Sequence, residues 1–214
     1  MARKIKLTRP ELKRQRDALA RFERYLPMLK LKQQQLQMTV LQTLGAHRRA
    51  LAAVADAQVQ ADAFAPLLAD LTGINVRQLS RPEQVVTHEQ NIAGVRLPVF
   101  DEAKFGPLAY SLFATPPWVD EAIARLRQLN QLRAEAEVLS EQLRLLRLEL
   151  TRVMQRVNLF EKVMIPRAKE AIRVIRIKLG YEQTSAVGRA KIAKSKLVEV
   201  QVASAQTQRQ EVPA

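Results

Sequence analysis

An unbroken alternation of three and four residues separates the apolar positions Leu129, Leu132, Ala136, Leu139, Leu143, Leu146, Leu150, Val153, Val157, Phe160 and Met164. A repeat averaging 3.5 residues keeps every member on one narrow stripe of a helix, which is the signature of a coiled-coil seam. The helix opens near "TPPWVDEA", where Thr115 or a proline starts it and Asp120 and Glu121 suit the positive helix end. The first half of the chain carries a second seam. Leu12, Leu19, Leu26, Gln33, Val40, His47 and Val54 recur every seven residues, with Phe22, Leu29, Leu36 and Thr43 three further on. "LTRPEL" reads as its start: Thr8 caps, Pro10 falls in the first turn, and Glu11 completes a capping box. The seam runs to about Leu68, and Gly73 suits the helix end. At 1.5 Å per residue each helix would be roughly 80–90 Å long, far beyond the diameter of a domain.

Seams of that length need partners, because exposed they would aggregate. The economical solution is intramolecular: the chain reverses in its middle and the helices pair antiparallel. The expected fold is therefore all-α-dominated, a long antiparallel two-helix coiled coil with a small β-hairpin-containing central insertion. The expected parts are a first helix over 1–68, a central module over 69–118, a second helix over 119–196 and a disordered tail over 197–214. The module holds five of the ten prolines, three of the six glycines and five of the ten aromatic residues. Within it "INVRQL" and "NIAGVRLPVF" have strand character, as in a hairpin with a long loop. Such a module either seals the end of the coiled coil or binds a partner.

Charge adds a second constraint. Residues 1–32 hold 11 Lys/Arg against three carboxylates, residues 162–196 hold 10 against two, and the whole chain is +14. Antiparallel pairing brings these two basic segments side by side at one end. Their repulsion asks for an acidic cavity, nucleic acid or a membrane surface. The absence of Cys excludes disulfides and thiolate chemistry and suits a reducing compartment. The basic start lacks the apolar run of a secretory signal, and no stretch approaches the ~20 apolar residues of a membrane span.

Catalytic patterns are missing. The glycines are scattered, with no phosphate-binding loop or dinucleotide fingerprint. His47 and His88 lie 41 residues apart, and His47 occupies a seam position beside Arg48 and Arg49. The neighbouring carboxylates Asp101 and Glu102, or Glu135 and Glu137, are ordinary on a surface. No residue reads as catalytic, metal-ligating or cofactor-binding.

"RVNLFEKVMIPRAKEAIRVIRIKL", residues 156–179, is unusual in carrying a helical seam through Pro166. Pro166 falls on an outward position, so the seam passes it, and Ala171 and Val174 continue the register. With Leu12 opposite Val174, Pro27 comes opposite Leu159, and two proline kinks near one level would bend the rod.

This stretch resembles the D subunit of the V/A-type rotary ATPases and ATP synthases. The matching positions are Arg156, Val157, Asn158, Glu161, Ile165, Pro166, Ile172, Ile175 and Leu179. "NIAGVRLP" is similar to the family segment that carries Asn91, Gly94 and Pro98, and "LKLKQQQL", residues 29–36, to an early family stretch. "RAKIAK", residues 189–194, resembles the basic end of the second helix. Gln33 and Gln34 depart from the Arg-Asp usual there. The resemblance implies a non-catalytic central rotor shaft that couples ATP hydrolysis or synthesis to ion translocation. It implies three partners: the hexamer of nucleotide-binding A and B subunits, the F subunit on the central stalk, and the subunit linking the shaft to the membrane rotor ring. ATP chemistry would belong to the hexamer, and the shaft would need no cofactor. The place implied is the cytoplasmic side of the membrane, in the peripheral part of a membrane-bound complex. The end carrying both termini would enter the hexamer, with Arg3, Lys4, Lys6, Arg9, Arg189, Lys191, Lys194 and Lys196 seating the tip. The rival readings are a basic coiled coil that binds nucleic acid and a peripheral membrane protein. Against the first, the basic ends lack interleaved aromatics beyond Phe22, Tyr25 and Tyr181. Against the second, they have no aromatic insertion face.

Overall fold

The computed structural model describes residues 6–67, 75–108 and 115–210, with side chains as far as Gln201. The elements are helix α1 (Arg9–Asp62), a single turn α2 (Val76–Leu79), strands β1 (Pro82–Ile92) and β2 (Val95–Phe105), and helix α3 (Trp118–Leu159). A π-turn over Phe160–Met164 joins α3 to the last helix, α4 (Ile165–Gln210). The architecture is a long helical hairpin of α1 against α3 and α4, with a two-stranded antiparallel β-hairpin inserted between them. It forms two compact units, one of residues 28–156 and the other of residues 1–27 with 157–214.

In the unit of residues 28–156 the two seams form the core. Leu36, Leu129, Leu143, Leu146 and Val153 are buried. Gln60 accepts from Arg125 at 2.9 Å, Arg133 donates to Gln58, and Lys32 pairs with Glu149 at 3.2 Å. The late part of α1 thus faces the start of α3 and its earlier part faces a later stretch of α3, which is antiparallel pairing. Polar seam residues are satisfied locally: the Thr39 and Thr43 hydroxyls donate to the carbonyls of Gln35 and Thr39, one helical turn back.

Helix α1 stops at Asp62, short of Leu68, because Pro66 disfavours helical backbone at the residue before it. Its end tightens through Phe64 and Ala65, whose N–H groups bond three residues back to Ala61 and Asp62. Gly73 lies outside the described residues. The segment "INVRQL" is helical rather than a strand: the Asn75 side chain accepts from the Gln78 N–H and caps α2. Val76 then packs with Val119, Ala122 and Ile123 under Phe64, Leu79 and Trp118, closing that end of the helix pair.

The β-hairpin is longer and tighter than its sequence suggests. Its strands have 11 residues each and are joined by Ala93 and Gly94, both at positive φ (53° and 79°). That is the two-residue turn whose twist matches paired strands, and no long loop is needed. Arg127 of α3 donates to the carbonyls of Leu79 and Gly106 and stacks over the Phe105 ring at 5.1 Å. Asn130 donates to the Ser80 carbonyl, and Gln142 to that of Pro98. The base and middle of the module are therefore fastened along one side of α3.

In the other unit Phe22 stacks on Phe160 with ring centroids 5.3 Å apart, and Glu23 pairs with Lys169 at 3.4 Å. This register is close to the expected one. The seam beyond Pro166 is not. Val174 is 37% exposed and Ile175 is fully buried, together with Ala168, Ala171 and Ile172. The π-turn explains the difference. The Ile165 N–H bonds the Phe160 carbonyl five residues back, so one extra residue enters the helix. A continuous α-helix would turn Arg167, Val174 and Lys178 toward α1; the inserted residue brings Ala168, Ile175 and Leu179 there instead. Pro166 itself is exposed, as expected. It lacks the N–H that would bond Lys162, and the widened turn relieves the clash of its ring with that carbonyl.

Beyond Leu179 the expected pairing fails in a second way. Every side chain from Gly180 to Gln201 is exposed, because α1 begins only at Arg9. The region placed in a disordered tail from 197 is helical to Gln210. No proline interrupts it before Pro213, and Ala, Val and Gln offer it no breaker.

Candidate functional site

Two places gather the residues that the sequence singles out. The first is the turn of the β-hairpin. Gly94, at φ 79°, needs the left-handed backbone that glycine adopts without cost. A Cβ built there would lie 3.6 Å from the Lys32 ammonium, which also holds Glu149. Arg152 approaches the same carboxylate at 3.7 Å. Three segments distant in sequence thus meet: the early stretch "LKLKQQQL", the turn of "NIAGVRLP", and α3 just before Arg156. Asn91 is exposed on β1, Pro98 is half-buried, and the Pro98 carbonyl accepts from Gln142. Arg156, Asn158, Glu161 and Pro166 are exposed, Ile165 and Leu179 are half-buried, and Val157, Ile172 and Ile175 of that motif are buried.

The second place is the cationic end. Arg3 and Lys4 lie outside the described residues. Lys6 and Arg9 are exposed at the start of α1, and Lys6 lines a groove of about 510 Å³ with Glu11, Arg14, Phe22, Met164 and Arg167. Glu11 does not close a capping box: its carboxylate accepts from Gln15 at 2.8 Å and meets Arg14 at 3.9 Å. The Thr8 carbonyl does accept the first helical bond, from Leu12. Arg189, Lys191, Lys194 and Lys196 stand on the exposed part of α4, and none of them lines that groove. Only part of the two basic segments therefore lies side by side. No carboxylate among the described residues stands within ion-pair distance of these four cations. At about 100° per residue they point to two opposite sides of the helix, Arg189 with Lys196 and Lys191 with Lys194.

Elsewhere charges are paired locally. The Arg144 guanidinium hydrogen-bonds the Glu141 carboxylate and holds its pKa below the ordinary carboxylate value; Arg173 does the same to Glu170. The pKa values of both arginines are raised in return. His88 pairs with Asp101 across the hairpin at 2.7 Å, on its exposed surface. Among the described residues no cluster of His, Asp or Glu could hold a metal ion, and no helix is long and apolar enough to cross a membrane.

The anchoring residues Arg127, Asn130 and Gln142 were not legible as such, since Arg and Gln on a helix ordinarily face solvent. The π-turn did leave a signal: Ala168, Ile172, Ile175 and Leu179 are spaced four, three and four apart, one residue out of step with the seam before them.

Residues 11–195 match the family model described as the D subunit of ATP synthase. The chain belongs to the family of ATP synthase D subunits. It is 40% identical to the V-type ATP synthase D subunit of Borreliella burgdorferi, over 91% of this chain and 96% of that protein. It is 36% identical to that of Chlamydia muridarum, over 92% and 98%, and 34% identical to that of Chlamydia felis, over 92% and 95%. Members of this family are structural stalk proteins rather than catalytic ones. The matched span reaches along α4 through Arg189, Lys191 and Lys194, so the exposed cationic helix is part of the family fold and not an appendage.

Proposed function

We propose that the chain is the central-stalk rotor shaft of a V-type ATP synthase, a peripheral part of that complex on the cytoplasmic side of the membrane. It transmits rotation between ATP hydrolysis or synthesis in the hexamer of A and B subunits and ion translocation by the membrane ring. The F subunit binds its middle, and a further protein of the complex links its far end to the ring. The observation that carries this reading is the helix beyond Gly180: a basic, fully exposed end on a long antiparallel helix pair, with cations on opposite sides. A stationary plug would favour one charged side. A part that turns inside a cavity meets the wall with every side in succession, and many weak contacts suit it better than one tight pair. Each such exposed pair contributes roughly 0–1 kcal/mol.

The test is reconstitution with the A–B hexamer, scoring bound shaft and ATP turnover. Neutralising Arg3, Lys4, Lys6, Arg9, Arg189, Lys191, Lys194 and Lys196 one at a time leaves both nearly unchanged. Neutralising all eight weakens assembly, most visibly at high ionic strength. One single substitution that abolished turnover as fully as all eight would overturn the distributed seating and mark a discrete coupling contact.

A further inference from the structure

The groove beside Lys6 has a shape and a chemistry that the seating of a basic helix end does not use. It runs between the first turns of α1 and the start of α4, within one compact unit, and its volume is about 510 Å³. Small-molecule sites span about 300–1,000 Å³. The space exists because the facing residues are small: Ala18 on the α1 side, Ala168 and Ala171 on the α4 side. Both α4 alanines are buried, so the floor is apolar and set by the helix pair itself. Phe22 and Met164 line the end at the π-turn, and the Phe22 ring is held there by its stack on Phe160.

The rim is cationic. Lys6, Arg14 and Arg167 stand round the floor against one carboxylate, Glu11. Lys6 and Arg167 have no carboxylate within ion-pair distance among the described residues. Arg14 meets Glu11 at 3.9 Å, too far for a hydrogen bond, and its side chain is 83% exposed. The π-turn is what puts Arg167 on the rim: in a continuous helix it would turn toward α1, and the inserted residue gives that place to Ala168. The second groove between the same two helices lacks such free charge, since its Lys169 and Arg173 are already paired with Glu23 and Glu170.

Three cations from separate turns call for a ligand with several negative charges, and guanidinium groups suit phosphate oxygens best. An inorganic polyphosphate would supply the charge, but it would leave the apolar floor uncovered and set a phosphate against Glu11. A phosphate chain joined to a sugar and a flat ring meets all three demands. Its phosphates face the rim cations, its ring lies on the alanine floor beside Phe22, and a sugar hydroxyl or ring amino group donates to Glu11. We propose that this groove is a binding site for a nucleoside di- or triphosphate. Recognition is by side chains alone, without a glycine-rich loop, and no group beside it could perform chemistry on the ligand. The site stands apart from the stalk reading, because it belongs to the chain by itself and either can fail without the other.

A chain of charge +14 attracts any polyanion, so the test must separate the groove from that background. Calorimetry on the full chain, without magnesium, compares ATP, tripolyphosphate and adenosine. ATP is expected to bind at one site, tripolyphosphate at least fivefold more weakly, and adenosine not measurably. Equal affinity for ATP and tripolyphosphate would overturn the proposal. Arg14→Gln and Arg167→Gln, both at exposed positions, should each weaken ATP at least fivefold. Arg176→Gln removes the same charge from α4 outside the groove and should change it less than twofold. Equal losses from Arg167→Gln and Arg176→Gln would mean general attraction only and refute the site. Ala18→Met fills the groove without touching a charge; it should weaken ATP at least fivefold and tripolyphosphate less than twofold. Photolabelling with 8-azido-ATP then places the ring. Adducts within 11–22 or 164–171 support the proposal, and adducts spread along 180–201 contradict it.

Discussion

The stretches on either side of the π-turn use the same physics with different phases. Before it, Leu129 to Val157 keep a three-and-four alternation, and their neighbours Leu148 and Met154 are exposed. After it, Ala168, Ile172 and Ile175 keep the same alternation one residue later. Each stretch is also decorated alike, with an Arg three residues after a Glu at 141/144 and again at 170/173. A seam is therefore a property of local spacing, and the turn between two seams decides whether they share a stripe. Pro166 marks the place, but the extra residue does the shifting.

The largest expected effect comes from single-residue deletions. Removing Arg147, exposed in mid-seam, rotates every later seam residue by about 100° and should abolish cooperative melting. Removing Lys162 takes out the inserted residue, so the turn anneals to α-helix and Ala168, Ile172 and Ile175 stay in place. The remaining cost is the proline clash, up to ~3 kcal/mol, and Pro166→Ala in the same chain should recover most of it. Equal damage from both deletions would show that the turn is not an insertion.

The seams and their antiparallel pairing were legible because heptad spacing is written in residue type. The phase beyond Pro166 was equally written, but Ala171 fits both registers and Val174 is as apolar as Ile175, so continuity chose the wrong one. The hairpin turn was harder to read, since "IAGV" puts alanine at a position with positive φ where Asn or Asp would announce the turn. α2 was masked by the β-branched residues of "INV", whose character gave way to the Asn75 cap. The exposed cations at the start of α1 and along α4 were legible one by one. Which of them lie together was not, because that depends on where α1 begins.

Side-chain truncation gives a middle-sized test of the phase. Ile175→Ala removes a fully buried side chain and should cost about 2–5 kcal/mol, whereas Val174→Ala should cost about 1 kcal/mol or less. Leu197→Ala, in the exposed part of α4, should change stability by about 0.5 kcal/mol at most. Thermal melts of the three variants decide it, and the reverse order for 174 and 175 would restore the unshifted register.

The smallest effect concerns pH. Glu141 and Glu170 have lowered pKa values from their arginine partners. Their contribution is present above the unfolded carboxylate pKa and is lost as pH falls through the lower folded value. Both pairs are exposed, so Glu141→Gln and Glu170→Gln should flatten the acid side of the melting profile only slightly, and equally. A large drop from one alone would mean that the two stretches differ in more than phase.

Rotation itself is tested most directly by locking it. Lys194→Cys puts the only thiol of the chain on the exposed part of α4, and under the proposed function a cysteine introduced in the A–B hexamer facing it could be oxidised to it. ATP turnover should stop on disulfide formation and return on reduction. A fully cross-linked complex that hydrolysed ATP at its unlocked rate would contradict the account.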